Sequence, residues 1–423
     1  MATRKLAGAA ALTALTLLAA ACTGSGPGTS HASPAAAAKP TASATTPLPG
    51  VVITPGNGAN GVSPSAGITV TATRGTLVNV AVRTPGDPVS GHLSQDGRVW
   101  HSQWTLDVSQ AYTVTATATG HGRTVTTTST FRTMTPRQTF RTFIFEGYHQ
   151  TYGVGMPIML VFSQPITDKA AVERSLQLTT SKPVVGAWYW DGSQTLDFRP
   201  RDYWPAGTTV SFTGHLNGVR GAPGVYGAHT LTQTFYIGRS LVAIGNTATH
   251  RTQIYYNGKL RYNWPISSGR PGDDTPNGSY LTIEKANPVE MKGPGYDLWV
   301  PWSVRFTFSG DYYHDAYWSV GEQGFDNVSH GCVNLSPAHA ETYYKLAVPG
   351  DPITINGSPR SGTWDNGWTE WFLSWPQYLR GSALHQAVQA GPAGSTFVDP
   401  SSLPPSTATA PLQTAPANNS NAR

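Results

Sequence analysis

The chain has 423 residues, too many for one ordinary core and suited to about two to four domains. Apolar residues make up 39% and charged residues only 12%, which excludes a multispanning membrane protein, while 45 Gly and 33 Pro favour β-rich domains with linkers over a helical protein. The net charge of +5 comes without a Lys/Arg run, so no nucleic-acid partner is expected. The cysteines are two, Cys22 and Cys332, which excludes a disulfide framework and a four-cysteine zinc site.

At the N-terminus, Arg4 and Lys5 precede a mostly apolar run from Leu6 to Ala21, followed by Cys22 and small residues. This reads as a secretory signal over residues 1–22, too short for a bilayer span of about 20 apolar residues. Leu17-Leu18-Ala19-Ala20-Ala21-Cys22 resembles a bacterial lipobox, in which the cysteine is lipidated, although Ala19 stands where Leu is usual. The alternative is an ordinary signal peptide with an incidental cysteine. Residues 23–49 are mainly Ala, Ser, Thr, Pro and Gly with no apolar periodicity, and read as a disordered linker. The expected location is therefore outside the cytoplasm, on the outer face of the cell membrane, with the membrane as a partner through Cys22.

Residues 50–135 alternate apolar and β-branched residues with polar ones, as in Tyr112-Thr-Val-Thr-Ala-Thr-Ala, and Gly/Pro/Asp clusters separate the runs. They predict an antiparallel β-sandwich of immunoglobulin-like size. Residues 136–238 follow the same pattern, with strands around Pro157-Ile-Met-Leu-Val-Phe-Ser, Val185-Gly-Ala-Trp-Tyr-Trp and Thr195-Leu-Asp-Phe-Arg-Pro, and a short helix from Asp168 to Leu176 capped by Asp168. Neither block gathers catalytic residue types, so both are expected to be spacers or binding modules. Residues 239–357 are again β-rich, with one helix signalled by Ser336 as cap, Pro337 at its first position and Pro349-Gly350 beyond it. The fold class expected is mainly β, with two sandwiches before a third β-rich domain that carries one or two short helices.

The chemistry lies in Ser329-His330-Gly331-Cys332-Val333-Asn334. Cys332 has no expected cysteine partner, and a lone cysteine in an exported chain is a reactive thiol or a small buried hydrophobe. His330 lies just before it and His314 further upstream; Gly331 permits unusual torsions. A place between a loop and a helix start would offer backbone N–H groups and a dipole to a thiolate or an oxyanion. A zinc site drawing on His314, His330, Cys332 and His339 is the third possibility, but no paired-ligand spacing supports it and His339 reads as solvated on the helix.

This hexapeptide, with His314 before it, resembles the active-site signature of the L,D-transpeptidases, the YkuD-type catalytic domain. Thr275-Pro276-Asn277-Gly278 after Ser267-Ser268-Gly269 is similar to the family's Thr-Pro-x-Gly strand entry, and Ala316-Tyr317-Trp318-Ser319-Val320-Gly321 resembles the mycobacterial and actinobacterial branch. That branch also carries a lipid-anchored N-terminus, two immunoglobulin-like domains and a tryptophan-rich C-terminal extension. The resemblance implies an acyltransferase without cofactor or metal, acting on peptidoglycan stem peptides and open to acylation by carbapenem-type inhibitors. Cys332 would attack the carbonyl of the third residue of a tetrapeptide stem, releasing D-Ala; a side-chain amine of a second stem would resolve the thioester into a 3→3 cross-link. It implies His314 as general base, His330 as a second active-site histidine, Gly331 and Cys332 as oxyanion donors, and Ser329 and Asn334 as loop residues. Tyr296 and Trp318 would lie on the substrate side. Asp315 stands where Ser is common, a position acting largely through its backbone carbonyl; its carboxylate is expected to be able to raise the pKa of His314.

Trp364, Trp368, Trp371 and Trp375 recur at helical spacing in residues 358–393, read as a helical extension docked on its neighbours, with a glycan-stacking platform as the alternative. Residues 394–423, rich in Pro, read as a disordered tail. Three other functions compete: an L,D-carboxypeptidase using water, a non-catalytic cell-wall scaffold, and a cysteine endopeptidase, whose nucleophile would sit early in its domain.

Overall fold

The computed structural model describes residues 47–293 and 295–406; Cys22, the signal segment and most of the linker lie outside them. The first domain is a sandwich of two four-stranded sheets. One orders Gly50–Thr54, Thr69–Arg74, Val99–Ser102 and Gly91–Leu93; the other orders Ala59–Val62, Arg123–Thr133, Ala111–Gly120 and Thr76–Arg83. Tyr112, Val114, Ala116 and Ala118 alternate into the core with Val70, Ala72 and Phe131, while the threonines between them pair outside, Thr117 with Thr126 at 2.9 Å between hydroxyls. The sandwich is not wholly antiparallel, because Ala59–Val62 runs parallel to Arg123–Thr133.

The second domain holds three sheets, of six, four and three strands, and the largest departs from the sequence expectation. Thr142–Ile144, Ile158–Phe162, Thr195–Pro200 and Val184–Asp191 are continued by Ala387–Gly391 and Gly394–Val398. Val184–Gly186 pairs with Val388–Ala390, and the last two strands form a hairpin. Residues 394–406 are thus not all tail: they supply a strand and a 3-10 turn, Pro400–Ser402. Asp168 precedes the short helix Lys169–Arg174 without capping it through its side chain; its carboxylate pairs with Arg220 instead.

Nor is the tryptophan segment a continuous helix. It is irregular chain holding a 3-10 turn, Glu370–Phe372, and one helix, Trp375–Leu379. The tryptophans are nonetheless docked: Trp368 and Trp371 enter the core of the second domain, and Trp364 and Trp375 pack beside Leu373 and Tyr378. Arg199, fully buried, lies 4.5 Å from the Trp371 ring and 4.4 Å from that of Tyr378, and donates to the Leu373 carbonyl at 2.9 Å. Buried Glu173 accepts from Trp190 Nε1, Ser382 Oγ and the Ala383 amide at 2.6–2.7 Å. Such charge-assisted bonds away from water tie the extension to the domain.

The third domain contains a five-stranded sheet ordered Lys259–Pro265, Arg251–Tyr256, Leu241–Asn246, Pro352–Asn356 and Gly278–Leu281, and a four-stranded one ordered Glu284–Ala286, Ser303–Arg305, Tyr312–Asp315 and Val333–Leu335. The helix Pro337–Leu346 buries Ala340 and Tyr343 against them; Pro337 starts it as expected, but Ser336 makes no side-chain cap. The second and third domains meet where the Gly153 and Gly155 amides donate to the Pro349 and Gly350 carbonyls at 2.8 and 2.9 Å. Phe372 of the extension packs on Tyr280 in the third core, with ring centroids 5.0 Å apart. Among the described residues no helix is long and apolar enough to cross a membrane.

Candidate active site

The parallel ladder between Tyr312–Asp315 and Val333–Leu335 sets Tyr313 beside Val333, His314 beside Asn334 and Asp315 beside Leu335. Side chains alternate across a sheet, so His314 and Asn334 share a face, and Cys332, two residues before Asn334, returns to it. All three line one open cavity of about 330 Å³. Its other walls include Met291, Leu298 and Val300 from the hairpin Val289–Gly293/Tyr296–Val300, with Tyr296, Trp318 and His330.

The loop before Cys332 is held by hydrogen bonds from three directions. Gly331 has φ +128°, and a Cβ there would collide with Asp311 Oδ1, so only glycine fits. Its carbonyl accepts from Thr275 Oγ1 at 2.6 Å, and that hydroxyl accepts from the Gly269 amide at 2.9 Å. The threonine of Thr275-Pro276-Asn277-Gly278 therefore does more than enter a strand: it clamps the nucleophile loop. Ser329 Oγ donates to the Cys332 carbonyl at 2.6 Å and accepts from the Gly331 amide at 3.2 Å. Asn334 is tied by its amide to the Ser267 carbonyl at 2.7 Å and by Nδ2 to Ser319 Oγ at 2.8 Å.

Two local expectations change. The strand Val333–Leu335 separates Cys332 from the helix, so the thiol does not sit at the first turn of the helix. Of the two amides expected to receive an oxyanion, that of Gly331 is engaged by Ser329, whereas that of Cys332 has no hydrogen-bond partner among the described residues.

The electrostatics favour neutral groups. Burial pushes the Cys332 thiol up to about 12, helped by the nearby Asp311 carboxylate and opposed by the Tyr312 amide; this is a thiol at rest, not a standing thiolate. Burial brings His314 down to about 4. Its Nδ1 lies 2.6 Å from the Asp315 carbonyl, an oxygen that can only accept, so Nδ1 carries the proton and Nε2 the lone pair. Asp315 thus meets His314 through its carbonyl, as the resemblance implies. Its carboxylate does not contribute to the pKa of His314; it is buried, its own pKa raised by that burial, and Oδ1 is without a partner. The expectation that it raises the base's pKa is not met.

His330 is exposed, with its ring 4.9 Å from that of Tyr296 between centroids. Trp318, 44% exposed, stacks on His314 at 5.9 Å. His339 does not line the cavity; it is half-buried on the helix, its ring stacked on that of Trp264 at 4.8 Å between centroids. Among the described residues no group of three or more His, Cys, Asp or Glu could hold a metal ion. Thr275, Asp311 and Glu322 are site residues that sequence reasoning did not single out. Thr275 was visible only as part of a strand-entry motif, and Asp311 and Glu322 carried no local signal.

The chain is similar to known proteins along most of its length. The family model for the L,D-transpeptidase catalytic domain matches residues 240–355, and that for a bacterial Ig domain matches residues 59–220. L,D-transpeptidase 5 of Mycobacterium tuberculosis is 35% identical over 70% of this chain and 68% of its own length. L,D-transpeptidase 2 of the same organism is 32% identical over 67% of this chain and 74% of its own. A solved L,D-transpeptidase in complex with imipenem is 34% identical, with a TM-score of 0.44 over 50% of this chain and 97% of that one.

Proposed function

The chain belongs to the L,D-transpeptidase family of peptidoglycan cross-linking enzymes, and from that premise we propose that it forms 3→3 cross-links through a thioester on Cys332. The observation that carries this reading is the placement of Cys332 and His314 on one face of one sheet and in one cavity, with the proton of His314 held at Nδ1.

In the first half-reaction His314 Nε2 takes the Cys332 proton as sulfur bonds to the carbonyl of the third stem residue. Because both groups rest neutral, proton transfer and attack are coupled, in the manner of general-base catalysis. The Cys332 amide receives the oxyanion. The tetrahedral adduct collapses, the bond to D-Ala breaks, and the imidazolium returns its proton to the leaving amine. In the second half-reaction a side-chain amine of another stem attacks the thioester, an amide forms, and the sulfur leaves and is reprotonated through His314. Tyr296, Trp318 and His330 bound the substrate's path, and a carbapenem, as an acylating agent, enters the same cavity.

Two further features belong to this proposal and rest on the sequence alone: lipidation at Cys22, and location on the outer face of the cell membrane with residues 23–49 as tether. The two immunoglobulin-like domains then act as spacers.

Incubation with a disaccharide-tetrapeptide separates the outcomes. Dimer with released D-Ala supports the cross-linking reading. D-Ala with monomeric tripeptide and no dimer would make the protein a carboxypeptidase, and neither product from folded protein would leave a scaffold.

A further inference from the structure

Among the described residues, one carboxylate lining the catalytic cavity makes no hydrogen bond or ion pair. Glu322 lies just beyond the 3-10 turn Tyr317–Ser319, and its backbone is fixed there: its amide donates to the Ser319 carbonyl at 3.2 Å, and its carbonyl accepts from the Phe325 and Asp326 amides at 2.9 Å. The side chain is half-buried in the cavity wall beside Trp318. Glu322 takes part in none of the ion pairs among the described residues, and no Lys or Arg lines the cavity. The charged trio of the overhanging hairpin, Lys292 with Glu290 and Asp297, is satisfied within itself. Among the described residues, the lining of the cavity therefore presents one acidic group, Glu322, and no Lys or Arg.

We propose that Glu322 receives the ammonium of the acceptor stem and so favours amine over water as the second substrate. The inference rests on the reading of Cys332 as acyl carrier. A side-chain amine reaches the site protonated at neutral pH. A partly shielded carboxylate attracts that cation, whereas water gains nothing from it. The same attraction holds the proton on the amine, so Glu322 captures the acceptor and does not act as its base. The ammonium then sheds one proton to solvent as the nitrogen leaves the carboxylate for the thioester. The C–N bond forms, the C–S bond breaks, and a second amine proton passes by way of His314 to the Cys332 sulfur. The products are the amide and the free thiol. A capturing role places the effect on acceptor KM more than on kcat.

The test compares wild type, Glu322→Gln and Glu322→Asp with a disaccharide-tetrapeptide, reading acceptor KM and the ratio of dimer to hydrolysed tripeptide, with carbapenem acylation as the readout of the first half-reaction. Loss of the charge should raise acceptor KM and lower the dimer-to-tripeptide ratio by about tenfold more than it slows acylation, with Glu322→Asp restoring part of the loss. A ratio unchanged in Glu322→Gln, or a fall matched by an equal fall in acylation, would overturn the assignment. Wild type that gives neither adduct nor D-Ala would instead bring down the acyl-enzyme reading on which it stands.

Discussion

His314 donates from Nδ1 to the main-chain carbonyl of Asp315 at 2.6 Å, so the residue that orients the base does so with an atom every amino acid possesses. The contact does not depend on the side chain at position 315, which here is a buried aspartate. The neutral imidazole is held with its lone pair on Nε2, the state a general base needs.

The pH dependence of acylation follows from this. Burial lowers His314 to about 4, so the base remains neutral from physiological pH down to the region just above that value. Carbapenem acylation should be nearly flat from pH 8 to 5.5 and decline only as pH approaches 4. Asp315→Ser should leave the profile in place; a wild-type midpoint near 6.5 would show that burial does not depress the base, and a midpoint moved by the substitution would show that the carboxylate tunes it.

Thr275 should matter to catalysis although it lies outside the hexapeptide. Its hydroxyl donates to the Gly331 carbonyl at 2.6 Å, and a nucleophile displaced by a fraction of an ångström loses its aligned approach. Thr275→Val should slow acylation about 10- to 100-fold with folding retained, and Thr275→Ser should recover most of it. Thr275→Val at the wild-type rate with Thr275→Ser slowed would show that the methyl group, not the hydroxyl, is what the site requires.

The seam between the second domain and the extension should depend on Glu173. Its carboxylate accepts from Trp190, Ser382 and Ala383 in a fully buried place. Glu173→Ala should cost about 3 kcal/mol or more, because it strands three donors away from water. Truncation before Gly362 should be worse, since it removes two strands and two buried tryptophans from the second domain. Chemical denaturation of the variant and expression of the truncation check both; a soluble truncation with an unchanged melting temperature would contradict this packing.

Burial raises the Glu146 carboxyl from its ordinary 4.5 to about 8, with a nearby Glu370 charge adding to it. The fold then holds a proton that the unfolded chain releases between those values, so stability is lost as pH rises from near 4.5 to about 8. Buried Asp197 and Glu370, also raised, act in the same direction. The melting temperature should fall between pH 5 and pH 8, and Glu146→Gln should flatten that fall and exceed wild type at pH 8. A wild-type curve that rises over this interval would show these carboxyls to be ionised in the fold.

The parts of the fold written in local periodicity were legible. The alternation from Tyr112 to Ala118 became a core-facing strand, and Pro337 did start a helix. The tryptophan spacing misled because irregular chain with a 3-10 turn can present rings at the same intervals, while Gly362, Gly367 and Pro376 interrupt any long helix. Pairing of Val388 with Gly186 joins positions about two hundred residues apart and leaves no local trace. The hairpin itself was signalled by Gly391-Pro392-Ala393-Gly394 before Thr396-Phe397-Val398, a turn that straddles the boundary drawn between the extension and the tail. At the site, Cys332, His314, His330, Tyr296 and Trp318 were named in advance and line one cavity. The neutral state of the thiol was not foreseeable, because it comes from burial and from Asp311, a neighbour placed by the fold.

The central claim is that Cys332 carries the acyl group and His314 makes it reactive. Intact-mass analysis after exposure to a carbapenem tests it most directly. Wild type should gain one covalent adduct, Cys332→Ala should gain none, and His314→Gln should gain it at least 100-fold more slowly, within the range of a lost general base of about 10²–10⁴. An adduct that persists in Cys332→Ala, or forms at the wild-type rate without His314, would contradict the account.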